Sequence, residues 1–173
     1  MNVIHSIDGY LLRSVIRRAS YDRKKVATAK GFYIIELEKR NQAIQALAVL
    51  DAGLKNMLTI YEYSKMLDVS IIDYITDQNI GCVSTELLVK LIATLSKMLE
   101  LGSSPVLTVH DAFRMHCNHA NTVRYWYKEI MSELAESDIL QFIVSQIVGK
   151  QVKYIKKSNK LADLIRKSNY SIC

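Results

Sequence analysis

The stretch Pro105-Val106-Leu107-Thr108-Val109-His110-Asp111-Ala112-Phe113 determines how the second half of this chain folds. Gly102-Ser103-Ser104-Pro105 ends the helical pattern before it, because glycine and proline interrupt helices. β-Branched and apolar residues then run up to His110-Asp111 and resume at Ala112. This pattern predicts two short strands joined by a two-residue turn, with Asp111 at the tip. A carboxylate held there can bind Mg²⁺. The simpler interpretation is that Asp111 only stabilises the turn.

The rest of the sequence has the periodicity of helices. One proline and six glycines in 173 residues leave few interruptions. Before the hairpin we expect first a helix capped by Asp8 and then a basic connection over 22–31. A helical pattern follows from about 34 to 67, divided near Gly53. A shorter helix around 69–76 and a helix from a Ser84 cap to Leu101 complete this half. 

Three helices are expected after the hairpin. The first begins at a cap on Asn118 or Asn121 and runs to about Ala135, the second follows Ser137-Asp138, and the third covers about 160–167. The second should face the core with Ile139, Leu140, Ile143, Val144 and Ile147. The sequence therefore predicts a mainly α fold with one short β-hairpin, in the α+β class.

Positive charge is concentrated at the two ends of the chain. Residues 1–30 carry seven Lys/Arg and two Asp, a balance of 7 − 2 = +5, and residues 149–173 carry seven Lys/Arg and one Asp, a balance of 7 − 1 = +6. With a total of +6, the middle is 6 − 5 − 6 = −5. Two basic ends indicate a polyanion partner if they meet in space. Each run is equally explained as solvated surface charge.

Other features of the composition limit the class of protein. No apolar run approaches the roughly 18 residues of a membrane span, so no membrane partner is expected. Cys82, Cys117 and Cys173 are odd in number and scattered, which favours reduced thiols. We therefore expect a cytoplasmic protein, in the host cell cytoplasm if it is viral.

Three segments resemble one family, the single-subunit DNA-directed RNA polymerases of the phage and mitochondrial type. Val109-His110-Asp111-Ala112-Phe113 resembles the third catalytic motif of that family, and the helices behind it extend the match. Asn2-Val3-Ile4-His5-Ser6-Ile7-Asp8-Gly9 resembles a segment that the family carries shortly before this motif. Leu161 to Cys173 resembles the closing helix and short foot of the family.

The resemblance implies a division of the chain. Residues 1–23 and 103–173 would be the C-terminal palm portion of a right-hand polymerase. In the family only a short helix and loop separate the two motifs, whereas here His5 and Asp111 are 111 − 5 = 106 positions apart. Residues 24–102 are therefore expected to be an inserted helical subdomain, which a surface loop can accept at low cost in closure entropy.

The resemblance also implies roles for individual residues. Asp111 would be a catalytic ligand of Mg²⁺ in a two-metal site. His110 would shape the turn or approach the nucleic acid, and His5 would contact the minor-groove side of the base pair at the primer terminus. Candidate nucleic-acid contacts are Arg13, Arg17, Arg18 and, in the foot, Tyr170. For each arginine, a solvated helix face is almost as good an explanation.

The family needs parts that we do not find in this sequence. They are a second metal-binding aspartate and a fingers helix with Arg, Lys and Tyr, and the order of the family places both before His5. We therefore expect the C-terminal portion or small subunit of a split polymerase, inactive alone. Its partners would be the complementary polymerase chain, DNA template, RNA product and ribonucleoside triphosphates.

Two alternatives are open. The chain could be a non-catalytic module on a degenerate palm, which binds nucleic acid or another protein. It could also be a fragment of a family-A DNA polymerase, although that family shares the His-Asp turn without the His-Ser-x-Asp segment.

Overall fold

The computed structural model describes residues 2–42, 49–109 and 112–169 of the chain. These residues form seven α-helices and one two-stranded antiparallel sheet, so the prediction of a mainly α fold with a short hairpin is confirmed. The helices are α1 (Asn2–Ala19), α2 (Arg23–Asn41), α3 (Ala52–Ser64), α4 (Thr85–Leu101), α5 (Ala120–Glu136), α6 (Ile139–Val148) and α7 (Leu161–Lys167), and the strands are β1 (Leu107–Val109) and β2 (Ala112–Arg114).

The first two helices differ from the prediction. α1 begins at Asn2, so Asp8 lies on the exposed side of the helix interior and is not its cap. The expected basic connection over 22–31 is wrong, because α2 begins at Arg23. The Asp22 carboxylate caps it by accepting hydrogen bonds from the N–H groups of Lys24 and Lys25. Lysine is compatible with a helix, and Val26 and Tyr33 supply a buried side.

The middle helices follow the sequence more closely. The pattern over 34–67 is divided into α2 and α3, and α3 starts where the Asp51 carboxylate accepts a hydrogen bond from Leu54 N–H. A 3₁₀ helix over Val69–Asp73 replaces the short helix expected there. The prediction for α4 is confirmed, since the Ser84 hydroxyl caps it by accepting from Leu87 N–H and Gly102 ends it.

One hydrophobic cluster joins most of these elements. It includes α1, α2, α4 and α5, with Val15, Tyr33, Leu91 and Ile130 all fully buried. Buried side chains from 24–102 and from the flanking segments belong to this same cluster. The predicted insert therefore shares a core with the predicted palm portion, and the boundary between the two stays a prediction.

The second helix after the hairpin differs from the prediction. α6 has no buried residue, and the side chains expected to face inward are half-buried or, at Leu140 (46% exposed) and Ile147 (67%), exposed. α6 packs on α3 and α1. The segment that follows α6 is bonded back to it, since Val152 N–H donates to the Ser145 hydroxyl and Tyr154 N–H to Gln141 Oε1. Among the described residues, no helix combines the length and the apolar character needed to cross a membrane.

Candidate metal-binding hairpin and nucleic-acid interface

The hairpin has the register that the sequence predicts. Leu107 pairs with Arg114, Thr108 with Phe113, and Val109 with Ala112. Two residues of sequence, His110 and Asp111, separate the last pair, as in the commonest hairpins. Both lie outside the described residues, as does Tyr170, so the predictions for these three side chains stay predictions.

The two faces of the hairpin have different surroundings. Phe113 points inward and meets the Tyr127 ring of α5 edge to face, with 6.2 Å between the ring centroids. The outer face carries Leu107 (69% exposed), Val109 (50%), Ala112 and Arg114. A two-stranded hairpin has only marginal stability by itself. Its exposed aliphatic face is therefore suited to burial against another protein surface.

The approach to the hairpin is tied to the end of α1. Ser104 N–H donates to Ala19 O at 2.9 Å, and Tyr21 N–H donates to the Ser103 hydroxyl at 2.9 Å. His5 is exposed near the other end of α1. It lies about 21 Å from Ala19 at the rise of an α-helix. The five extended steps from Ser104 to Val109 span about 17 Å.

The three candidate arginines of α1 have different environments. Arg13 is exposed and has no acidic partner among the described residues. Arg17 is exposed and pairs with Asp68. The proposal of Arg18 as a phosphate contact is wrong, because its side chain is 1% exposed and donates to both carboxylate oxygens of Glu133, at 2.8 and 2.7 Å.

The Arg18 guanidinium is also enclosed by neutral groups. It donates to Leu67 O at 3.2 Å and lies 5.3 Å from the centroid of the Trp126 ring. Burial lowers the pKa of Arg18, but Glu133 outweighs this effect and the pKa is raised. Nearby, burial and the Asp68 charge raise the pKa of Tyr10 to about 12, so this phenol is neutral. This cluster is structural.

A second arginine holds the other acidic residues of α5. Arg166 of α7 donates to Glu136 at 2.6 Å and to Glu129 at 3.2 Å. With Arg18 on Glu133, the acidic side chains of α5 are thus paired with arginines from both basic ends of the chain. The two ends meet across α5, but these two arginines are used for folding and not for a polyanion.

The Arg166 contact predicts a pH dependence. Hydrogen bonds from Arg166 hold the pKa of Glu136 below its usual value of 4.5. A carboxylate with a lowered folded-state pKa stabilises the fold above 4.5 and loses this effect as pH falls through the folded-state pKa. We expect lower hydrogen-exchange protection factors in Leu161–Lys167 below pH 4.5, after correction for the pH dependence of intrinsic exchange. Arg166→Gln should reduce this acid response, and an equal response in both proteins would contradict the prediction.

Two further exposed cations, one on the hairpin and one on α5, were not predicted from the sequence. Arg114 on β2 and Arg124 on α5 are exposed, and neither has an acidic partner among the described residues. Alternation along β2 places Arg114 on the same side as Ala112, the residue that follows Asp111. The position of Arg114 could have been predicted from this alternation in the sequence. The exposure of Arg124 could not, because it depends on how α5 packs in the fold.

The described residues do not complete a metal site. They contain no group of three His, Cys, Asp or Glu side chains that could hold a metal ion. Mg²⁺ requires about six oxygen ligands. Asp111 could supply one or two of these, so another chain, a triphosphate or water would have to supply the others.

Cys82 and Cys117 are free thiols.

Comparison with known proteins adds no assignment. No protein-family model matches the chain, and no curated protein sequence matches it significantly.

Proposed function

We propose that this chain is the C-terminal portion or small subunit of a phage-type DNA-directed RNA polymerase, and that Asp111 supplies one carboxylate to its Mg²⁺ site. The observation that supports this most is the hairpin, because Val109 pairs with Ala112 and only His110 and Asp111 lie between them in sequence. A carboxylate between two paired strands is what the family resemblance implies for Asp111.

The mechanism assigns separate tasks to the residues of this chain. Mg²⁺ in such a site activates the primer 3′-hydroxyl and stabilises the triphosphate charge. Asp111 would hold one edge of that site, and His110 would fix the turn or approach the nucleic acid. His5 would contact the minor groove at the primer terminus, where a neutral imidazole can donate or accept a hydrogen bond. Arg13, Arg17 and Tyr170 would contact the nucleic-acid strand.

The exposed apolar surfaces support an obligate partner chain. Leu107 and Val109 on the hairpin and Leu140, Ile147 and Val148 on α6 are between 46% and 69% exposed. Exposed aliphatic groups in such number are typical of a surface that another protein covers. The complementary polymerase chain, with the second aspartate and the fingers helix, is the partner that we propose.

The second candidate function is a non-catalytic module that binds nucleic acid. It is favoured by exposed cations without acidic partners among the described residues, including Arg13, Arg114, Arg124 and Lys150. This function predicts salt-sensitive binding of nucleic acid and no synthesis with any partner.

Reconstitution tests the proposal. This chain is co-expressed with the polypeptide encoded beside it that carries the missing motifs, and template-dependent incorporation of ribonucleotides and deoxyribonucleotides is measured with Mg²⁺. We expect ribonucleotide incorporation by the pair and none by either chain alone. Incorporation of deoxyribonucleotides only would favour a family-A DNA polymerase, and no incorporation by an assembled pair would favour the non-catalytic module.

A further inference from the structure

The groove between α3 and α6 combines an exposed aromatic ring, side-chain amides and a lysine. It has a volume of about 490 Å³. Asp138 N–H donates to Ser64 O at one end, and the groove extends back to Thr59 on α3 and forward to Gly149 after α6. It lies outside the proposed metal site, and one of its walls belongs to the predicted insert 24–102.

The aromatic end of the groove offers a stacking surface. The Tyr63 ring lies on the Phe142 ring with 6.1 Å between centroids and 17° between planes. Tyr63 is 60% exposed, so its second face is open to solvent. A supported tyrosine ring with one open face can stack a nucleobase without selecting its identity.

The walls supply hydrogen-bonding groups and positive charge. Gln141, Gln146 and Gln151 line the groove, together with Lys150. The Gln141 carbonyl oxygen accepts from Tyr154 N–H at 3.0 Å, which leaves its amide N–H₂ group for a ligand. Among the described lining residues none is acidic. Lys55 lies one helical turn before Thr59 on the same face of α3 and is exposed.

We propose that this groove binds single-stranded nucleic acid, with a base stacked on Tyr63 and a backbone phosphate at Lys150. That the bound nucleic acid is a template or product strand of the polymerase rests on the proposed function. Binding of nucleic acid in the groove does not itself depend on Asp111. Amides that both donate and accept can contact the edges of unpaired bases, and lysine pairs with phosphate. The insert would then extend the path of a strand beyond the catalytic turn.

Fluorescence anisotropy with labelled dT12 and rU12 on the full chain tests this site. We expect Tyr63→Ala to weaken binding about tenfold, and Tyr63→Phe to bind like the unaltered chain because it keeps the ring. Lys150→Gln should weaken binding and reduce the slope of log K against log salt by about 0.7, as expected for one lost phosphate contact. Lys39→Gln, an equal charge change on the exposed side of α2, is the matched control.

Other outcomes would overturn the proposal. One is equal oligonucleotide affinity of the Tyr63→Ala variant and the unaltered chain. Another is an equal loss of affinity in the Lys150→Gln and Lys39→Gln variants. The third is uridine monophosphate that binds as tightly as rU12. Tyr63→Ala that weakens assembly with the complementary chain but not oligonucleotide binding would make the groove a protein interface. Oligonucleotide binding is measured on this chain without a partner chain, whereas the role of Asp111 is measured by synthesis in the reconstituted pair, so failure of the groove and failure of the polymerase proposal give different results.

Discussion

Asp111→Asn is expected to reduce template-dependent RNA synthesis by the reconstituted polymerase about a thousandfold, equivalent to roughly 4 kcal/mol in the activation barrier. The substitution keeps the size of the side chain but removes the negative charge that would hold Mg²⁺. It separates the two interpretations of this residue. Asparagine stabilises turns as well as aspartate does, so a purely structural Asp111 would tolerate the change.

The assay needs a control for folding and for charge. Asp77→Asn removes the same charge from an exposed position far along the chain from the hairpin, and it should leave synthesis unchanged. The urea midpoint of the Asp111→Asn chain should equal that of the unaltered chain. Undiminished synthesis with a correctly folded Asp111→Asn chain would remove the metal-site assignment.

Arg18→Met is expected to lower the free energy of unfolding by about 3–5 kcal/mol. The substitution leaves the Glu133 carboxylate, which is 14% exposed, without its bidentate partner. An uncompensated charge in such a position is far more costly than the loss of a surface pair. Since small domains are stable by about 5–15 kcal/mol, the variant should lose a large part of its stability. Urea unfolding at pH 7 measures the change.

Two further variants test the reason for this loss. Arg18→Met combined with Glu133→Leu should recover most of the stability, because both charges are then replaced by apolar groups. The double substitution also removes the Arg18 Nε–H, which is buried without a partner in the described part of the chain. Arg13→Met, at an exposed position of the same helix, should change stability by less than about 0.5 kcal/mol. A double variant no more stable than Arg18→Met would contradict the explanation.

Local signals in the sequence were sufficient to predict the hairpin strands and α4. Pro105 and a β-branched run define the strands, and Ser84 with Gly102 defines both ends of the helix. The start of α1 was missed because a capping-type residue inside a helix has the same sequence appearance as a true cap. Asp8 lies on the exposed side of α1, where an aspartate inside the helix reduces its stability little.

Long-range packing explains the errors that concern burial. The sequence shows Arg18 as one of several basic residues, and only the arrival of Glu133 from α5 makes it a buried ion pair. Similarly, the apolar pattern of α6 is real, but periodicity does not reveal whether a neighbour exists to cover it. The role of Tyr170 rests on the family resemblance, and those of His110 and Asp111 rest on that resemblance and on the paired strands that flank them in sequence.

The ion pair between Arg18 and Glu133 has a consequence for synthesis on the ribosome. The two residues are 115 positions apart, so Arg18 leaves the ribosome before its partner has been made. At about 5–20 residues per second, this delay is roughly 6–23 s. During that interval α1 carries an arginine whose final environment is buried and not yet assembled. The nascent chain can therefore complete its core only after α5 emerges.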